Sequence, residues 1–413
     1  ACLVGSEMCI RDRAGVVYCM NYPVTALSVA YFIISTLLLP LMVQAFSCLV
    51  AWIISLISSK MRNKNIITMV VSLLFLAAYF YLYSKMGDII SGLIANGTAI
   101  AVAFKKYAFP AYYFGVGIAE HNLTYLLLYT VCTLVVFELV YAILSRSFRQ
   151  ITTAKKGTAR IKYKERSMHV SSPAAALLRK DFRHFIGNPM YVLNAWMGEI
   201  LLVVACVAML IKKDILTEFL PILNGEGEIM GLILCVILCG LSCTNLITAP
   251  SISLEGKNLW IAQSIPVPAA TVLRAKVKLQ MLLCIPITAL SALLMGIVLK
   301  LELLTLVLAV LVPAAFNLFT ALLGVVVNLH FPKFDYINET VVIKQSMSTM
   351  ICMFGSMAVV LVLALLYALL LSASVAPTLF LAVCLVLLVI VCVLMWRYLG
   401  HGGSARFAAL QAD

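Results

Sequence analysis

Opposite charges flank a glycine in the segment SISLEGKNLWIAQSIPVPAATVLRAK, residues 251–276, which lies between two strongly apolar stretches. Glu255 and Lys257 supply the charges, and Gly256 between them permits a sharp turn because it has no Cβ. The pattern indicates a loop that offers charged groups to a partner. The simpler alternative is an ordinary loop whose charges face water.

An apolar ridge accompanies these charges. Leu254, Trp260 and Ile261 have side chains able to fill a groove on a partner, and Trp260 also suits the membrane–water interface. Pro266 and Pro268 stiffen the return of the chain. The segment is therefore predicted to be a docking surface.

Polar side chains within apolar stretches are the second group of candidates. Glu138 and Glu199 are the acids well inside such stretches. An ionisable group within a membrane marks a transport path or pairs with a neighbour, and a structural hydrogen bond explains these two as well as contact with a substrate does. The neutral candidates are Gln44, Asn245, Asn317 and Gln280.

Histidine and cysteine are poorly placed for catalysis or metal binding. The histidines, at 121, 169, 184, 330 and 401, are scattered among loops and ends, without a nucleophile motif or a carboxylate pair beside them. Most cysteines fall in apolar stretches, where they pack as small side chains. We therefore expect no catalytic site and no metal site.

Membrane helices must carry these residues. Hydrophobic residues make up 63% and charged residues 11% of the 413, a balance that excludes a water-soluble globule. A helix needs about 20 apolar residues to cross the hydrocarbon core. We predict an all-α polytopic membrane protein with about nine or ten transmembrane helices, the clear ones at 31–57, 66–83, 123–144, 191–211, 229–248, 279–298, 304–329, 348–371 and 377–396.

The distribution of Lys and Arg sets the orientation, because positively charged loops stay in the cytoplasm. Most of the 30 basic residues fall in alternate loops, at 58–65, 145–190, 249–278, 330–347 and beyond 396. The net charge of +13 is therefore a topology signal, and no aromatic–basic module indicates nucleic-acid binding. The docking surface is predicted to be cytoplasmic.

An internal repeat organises the chain. Residues 38–60 align with residues 311–333 without a gap, so that Pro40 matches Pro313 and a carboxamide follows each proline four residues later. A kinking proline with such a neighbour is unusual in a membrane helix, although chance similarity between apolar helices is an alternative. Both copies are predicted to run from outside to inside, which makes the repeat parallel.

Five segments follow from the spans and the repeat. Residues 1–13 resemble translated adapter sequence and are excluded from the fold. We expect the last part of a first membrane half at 14–145, a basic cytoplasmic linker with an interface helix at 146–190, a complete six-helix half at 191–396 and a cytoplasmic tail at 397–413. The first repeat is thus incomplete.

The interface helix is predicted within residues 171–188, SSPAAALLRKDFRHFIGN. Ser172 suits the N-cap, Pro173 the first turn and Gly187 the end. Apolar and basic residues take different faces, with Leu178, Phe182 and Phe185 on one and Arg179, Lys180, Arg183 and His184 on the others. Such a helix lies in the membrane interface, as a topogenic anchor, as an elbow that touches a cytoplasmic partner, or as both.

Three phrases carry a resemblance to a known family: LLRKDFRHFIGNPMYVLN, SLEGKNLWIAQSIPVPAATVLRAK and FPKFDYINETVVIKQSMS, in this order. Together they resemble the permease subunits of bacterial ATP-binding-cassette exporters, above all the large permeases with two fused six-helix halves. The outer segment YAFPAYYFGVGIAEHN also looks like a feature of that family. The resemblance covers about residues 26 to 407 and departs at the start, where the first coupling segment and first interface helix would lie.

The resemblance implies that this chain forms the substrate pathway in the bacterial cytoplasmic membrane and that separate ATPase subunits dock beneath it. ATP and Mg²⁺ would bind to those subunits, since the chain has no G-x-x-x-x-G-K-[ST] phosphate loop, and no cofactor is expected here. Membrane lipid is the other expected partner. An intact chain with two halves would need no second permease copy.

Two other functions are weighed against this one. An ion-coupled secondary transporter would need coupling carboxylates or broken helices near the midplane, and Pro40 and Pro313 are the features that point that way. A membrane-embedded enzyme is less favoured because no catalytic cluster is present. The transported substrate does not follow from the sequence.

Overall fold

The computed structural model describes residues 26–59, 64–95, 105–106, 109–119, 122–153, 171–211, 227–371 and 374–411. The chain forms two compact units, Ala1–Glu165 and Arg166–Asp413. Regular structure in the described residues is helical, apart from an isolated β-bridge between Trp196 and Asn245. The predicted all-α class is confirmed.

Six helical stretches have the length and hydropathy of membrane spans: Val29–Ile53, Leu123–Ser147, Ala269–Val298, Leu303–His330, Glu339–Leu369 and Pro377–Gly400. Thr68–Ser84 and Met86–Gly92 together form a seventh candidate, bent by 48°. Two shorter apolar helices, Met197–Ile211 and Ile229–Ser242, coincide with the remaining predicted spans. Each of the nine apolar stretches found in the sequence therefore contains a helix.

The first unit is built around one pair of long helices. Its helices are α1 (Ala26–Ser59), α2 (Lys64–Ser84), α3 (Met86–Ala95), α4 (Phe109–Ala119) and α5 (Leu123–Thr153). Helix α1 packs along α5, and α4 packs against α5 as well. The indole Nε1 of Trp52 donates a hydrogen bond to Ser147 Oγ at 2.8 Å across the α1–α5 contact.

The second unit is arranged around a central helix, α12. Its helices are α6 (Pro173–Gly187), α7 (Pro189–Ala195), α8 (Met197–Ile211), α9 (Gly227–Ser242), α10 (Leu259–Ser264), α11 (Ala269–Val298), α12 (Leu303–His330), α13 (Glu339–Gln345), α14 (Met347–Leu366), α15 (Pro377–Gly400) and α16 (Gly402–Ala409). Helix α12 contacts α9, α11, α14 and α15. Gly324 lets the segment that follows α9 approach α12 closely, because a Cβ there would overlap the hydroxyl of Thr248.

Three predicted spans differ from the helices that form. The span at 191–211 is divided at Trp196 into α7 and α8, and the span at 229–248 ends as a helix at Ser242. The cause is backbone pairing between the two breaks, where Leu246 N donates to Ala195 O at 2.8 Å. The third difference is at α11, which begins at Ala269, so Arg274 and Lys276 are helical rather than part of a loop.

Each unit pairs a proline-containing helix with its last long helix. Pro40 lies inside α1 and Pro313 inside α12, as the alignment requires. Thr133 Oγ1 of α5 lies 3.7 Å from Met42 Sδ, and Cys392 Sγ of α15 lies 3.8 Å from the carbonyl oxygen of Ala315, the residue that aligns with Met42. Helices α1 and α12 thus contact the last long helix of their own unit through equivalent positions.

Candidate functional site

The three phrases singled out in the sequence contact one another. They form α6, the 3₁₀ turn Ser253–Asn258 with α10, and the segment 331–338 with α13. We call these three elements the motif cluster. Asn328 joins its second and third elements, because its Oδ1 accepts from Ile252 N at 2.8 Å and from Ser253 N at 3.1 Å just before the chain enters segment 331–338.

Glu255 is the centre of the motif cluster. Its carboxylate accepts from Lys180 Nζ of α6 at 2.6 and 2.8 Å and from Lys276 Nζ of α11 at 2.8 Å. Lys276 is 2% exposed and also lies 3.6 Å from Asp181 Oδ2. Burial alone would raise the pKa of Glu255, but the two ammonium groups outweigh it and lower that pKa to about 2. The carboxylate, whose side chain is 13% exposed, therefore joins the exposed Lys180 of α6 to the buried Lys276 of α11.

Gly256 makes the predicted turn. Its φ of 52° and ψ of −135° lie outside the regions open to other residues. The hydroxyl of Tyr336 covers the turn and donates to Leu254 O at 3.3 Å. Lys333 N donates to Ser253 Oγ at 2.9 Å and adds a second link to segment 331–338.

Replacing Gly256 with alanine is expected to destabilise the fold by about 1–3 kcal/mol, because an L-residue is strained at this φ. The new Cβ would also lie 2.9 Å from the Tyr336 hydroxyl and displace it. Thermal unfolding in detergent, read with a thiol-reactive dye that labels newly exposed cysteines, measures the change. Gly355→Ala in α14 is the matched control, since nothing lies within 4 Å of its Cβ position. Equal melting temperatures for the two variants would contradict the strained turn.

The exposed part of the motif cluster differs from the predicted ridge. Leu254 is 7% exposed and packs inward, so it is not available to a partner. Trp260 is 63% exposed, and Ile261 and Lys257 are exposed beside it. Ile337, which the sequence did not single out, is fully exposed. The outward apolar surface is therefore formed by the start of α10 and the tip of segment 331–338.

Helix α6 forms as predicted but presents different faces. Ser172 caps it, accepting from Ala175 N, and it ends at Gly187. Phe185 is buried, while Phe182 is 40% exposed and Leu178 is half-buried. Phe185 contacts the rings of Tyr191 and Trp196, and the other buried residue of the helix, Leu177, belongs to an apolar cluster with Leu259 and Leu273. Of the predicted apolar face, Phe182 thus remains open to the surroundings, as do the basic side chains of Arg179, Lys180 and Arg183.

The third element is fastened to α6 by polar contacts. Asn188 Nδ2 donates to Glu339 Oε2 at the start of α13, and His184 Nε2 lies 3.8 Å from the same oxygen. Asn188 also caps α7 by accepting from Met190 N and Tyr191 N. One residue therefore ends α6, starts α7 and holds α13.

Three of the polar candidates in the spans meet inside the second unit. Glu199 Oε1 accepts from Asn245 Nδ2 at 2.9 Å and from Thr288 Oγ1 at 2.8 Å. Asn317 Nδ2 donates to Thr288 Oγ1 at 2.9 Å, and its Oδ1 accepts from Asn245 Nδ2 at 3.3 Å. All four residues are at most 1% exposed. We call them the buried polar network.

Gln280 extends the buried polar network towards the motif cluster. Its Nε2 donates to Asn245 O at 3.0 Å, and its Oε1 accepts from Thr248 N at 3.0 Å. Gly198 makes this packing possible, since a Cβ there would overlap Leu241 O. Polar side chains on α8, α11 and α12 thus hold the broken end of α9.

The two carboxylate oxygens of Glu199 differ, because only Oε1 accepts hydrogen bonds in the described part of the chain. Oε2 is buried and has no hydrogen-bond partner among the described residues. None of the ion pairs in the described ranges includes Glu199. Such a group inside a membrane protein is costly unless a bound proton or cation compensates it.

Gln44 and Glu138 do not join such a network. Both are exposed in the first unit, and Gln44 Nε2 contacts Cys48 Sγ at 3.4 Å. Gln44 is therefore unlike its aligned partner Asn317, which is fully buried. The roles predicted for Gln44 and Glu138 stay predictions.

Five residues of the motif cluster and the buried polar network were not identified from the sequence as site residues: Asp181, Lys276, Thr288, Asn328 and Glu339. Lys276 carried a signal, because a lysine within the apolar start of a membrane helix needs a partner. Thr288 carried none, since threonine is common in membrane helices and bonds its own backbone, here Cys284 O.

Comparison with known proteins places the chain in a family. Residues 15–397 match the family described as "Membrane protein of 12 TMs". Neither the curated proteins nor the solved structures gave a match. The match covers most of the chain and agrees with its helical, apolar structure. The chain therefore belongs to this family of twelve-span membrane proteins and is a polytopic membrane protein.

Proposed function

We propose that this chain is the membrane-spanning permease subunit of an ATP-driven exporter, which forms the substrate pathway and couples to separate ATPase subunits. The observation that carries the proposal is the motif cluster. Glu255 fastens its turn to α6 and α11 through two ion pairs, of which the one to Lys276 is buried, while Trp260 and Ile337 remain exposed. A rigid base with exposed apolar anchors is suited to receiving force from a partner.

Two further observations support this proposal. The motif cluster lies in segments that the distribution of Lys and Arg assigns to the cytoplasm, where ATP is available. A family of twelve spans equals two halves of six, the organisation expected of a fused exporter permease. Hydrolysis of ATP belongs to the partner chain in this proposal, and the proposed membrane is the bacterial cytoplasmic one.

Buried charges beneath the turn suit a mechanical role. Lys276 bonds both Glu255 and Ser251 O, at 2.8 and 3.1 Å, and it projects from the first turns of the long helix α11. A displacement of the turn is therefore transmitted to α11, which contacts α12 and the buried polar network. This route connects an ATPase at Trp260 with the membrane core.

Trp260→Ala is expected to weaken ATPase association at least tenfold without lowering the melting temperature, because the side chain is 63% exposed. The measurement is copurification and affinity of the permease with the phosphate-loop protein encoded beside it. Phe354→Ala, which removes an exposed aromatic from the apolar helix α14, is the matched control. Full association of both variants, or no association of the unmodified chain with any ATPase, would refute the proposal.

Glu199 Oε2 favours a second candidate, ion-coupled transport. A buried carboxylate oxygen without a partner could exchange a proton or a monovalent cation during a transport cycle. Vesicles separate the two functions. Uptake or release driven by an ion gradient without ATP supports ion coupling, and transport that requires ATP and the partner chain supports the exporter.

A further inference from the structure

A cavity of about 260 Å³ lies between α12 and α15 and belongs to neither group of site residues. Its walls are apolar over most of their surface. One end differs, because an indole and a guanidinium are placed there. The residues that define it are Leu318, Leu322, Val389, Val393, Trp396 and Arg397.

The cavity extends into the membrane from one interface. On α12 it reaches from Ala315 to Leu322, about 10 Å at a rise of about 1.5 Å per residue, or about a third of the hydrocarbon thickness. Trp396 and Arg397 lie near the end of α15, where the chain enters its predicted cytoplasmic tail. An acyl chain of the cytoplasmic leaflet would lie parallel to this cleft.

Two guanidinium groups at this end have no acidic partner in the part of the chain that the structure describes. Arg397 is exposed, and no ion pair in the described ranges includes it. Arg274 lies with its Cζ 5.1 Å from the ring centroid of Trp396, and its Nε is buried without a hydrogen-bond partner. Positive charge and unused donors thus lie beside an apolar cleft.

We propose that this cleft binds one anionic phospholipid of the cytoplasmic leaflet. The phosphate pairs with Arg397, since guanidinium groups bind phosphate through paired hydrogen bonds. Arg274 adds positive charge on the Trp396 ring, which lines the same cavity. Trp396 lies at the level of the headgroup, and one acyl chain occupies the cavity between Leu318 and Val389. Basic pockets between membrane helices on the cytoplasmic side are suited to such headgroups. The site is independent of any ATPase.

Native mass spectrometry of the full chain tests this proposal, with phosphatidylglycerol and phosphatidylcholine added in equal amounts. The unmodified chain is expected to retain one phosphatidylglycerol in preference. Arg397→Gln is expected to lower that retention about fivefold, which corresponds to the loss of one basic residue at a lipid surface. Lys300→Gln, which removes an exposed positive charge before the start of α12 at the end away from the cleft, is the matched control and should retain the lipid. Equal retention of both lipids, or equal loss in both variants, would overturn the proposal.

A second variant tests the apolar part without changing charge. Val389 lines the cavity and is 48% exposed, so Val389→Phe fills the cleft without disturbing the core. We expect it to abolish the retained phosphatidylglycerol while its melting temperature in lipid-free detergent stays unchanged. Inorganic phosphate should not raise the melting temperature of the unmodified chain. Undiminished lipid retention in Val389→Phe would show that no acyl chain occupies the cleft. Stabilisation by inorganic phosphate alone would show that the site takes a free anion rather than a lipid.

Discussion

Glu255→Lys is expected to lower the free energy of unfolding of the second unit by about 3–5 kcal/mol, the range for breaking a buried ion pair by removing one partner. The substitution places a third ammonium group beside Lys180 and Lys276. Lys276 is 2% exposed and cannot regain water, and Asp181 at 3.6 Å is the acid that remains. The turn and α6 should separate, and coupling to an ATPase should fail while membrane insertion is retained.

Lys257→Glu is the matched control for this charge reversal. Lys257 lies two residues away on the same turn and is exposed, so reversing its charge should change stability by less than about 1 kcal/mol. Melting of both variants in detergent with the thiol-reactive dye gives the comparison. Similar melting temperatures for the two would mean that the contacts of Glu255 do not hold the motif cluster together.

The Glu255 carboxylate makes the stability of the fold depend on pH. The pKa of Glu255 is lowered from 4.5 to about 2 in the folded chain, so the ionised form stabilises the fold above pH 4.5. That contribution, about 3 kcal/mol, is lost as the pH falls from 4.5 towards 2. Glu255→Gln removes the titrating group. Its melting temperature should therefore fall less than that of the unmodified chain between pH 5 and pH 3.

Hydropathy predicted the helical class and the position of the apolar stretches because both depend on local composition. It did not predict that the chain breaks at Trp196 and again after Ser242. Those breaks are paired with each other through the bridge between Trp196 and Asn245, which is a tertiary contact. A hydropathy average over a window of residues does not detect such a break, because the residues on either side of it are equally hydrophobic.

The sequence identified some residues of the motif cluster and the buried polar network, but not their geometry. Residue types identified Lys180 and Glu255 separately, one as part of an interface helix and one as part of a docking loop. Their contact at 2.6 Å joins positions 75 residues apart, and no local pattern encodes it. The contact also changes the meaning of Glu255, from a charge offered to a partner to a charge that orders the turn beneath Trp260.

Asn317→Leu is expected to destabilise the second unit because the side chain is fully buried and makes four hydrogen bonds. Its Nδ2 donates to Ser242 Oγ, Thr288 Oγ1 and Pro313 O at 3.0, 2.9 and 3.2 Å. Leucine fills a similar volume but leaves these groups, and Asn245 Nδ2, without that partner. Ser242, Thr288 and Asn245 each keep another partner, so each lost hydrogen bond costs about 0.5–1.5 kcal/mol. The four together should cost about 2–6 kcal/mol, more than the glycine turn.

Gln44→Leu is the matched comparison for Asn317→Leu, because the two residues align in the sequence repeat. Gln44 is exposed in the first unit, so its replacement should change the free energy of unfolding by less than about 0.5 kcal/mol. A double-mutant cycle between Asn317→Leu and Thr288→Val isolates their shared hydrogen bond, with an expected coupling of about 0.6–1.7 kcal/mol. Equal effects of Asn317→Leu and Gln44→Leu, with no coupling to Thr288, would mean that the buried polar network does not stabilise the broken helices.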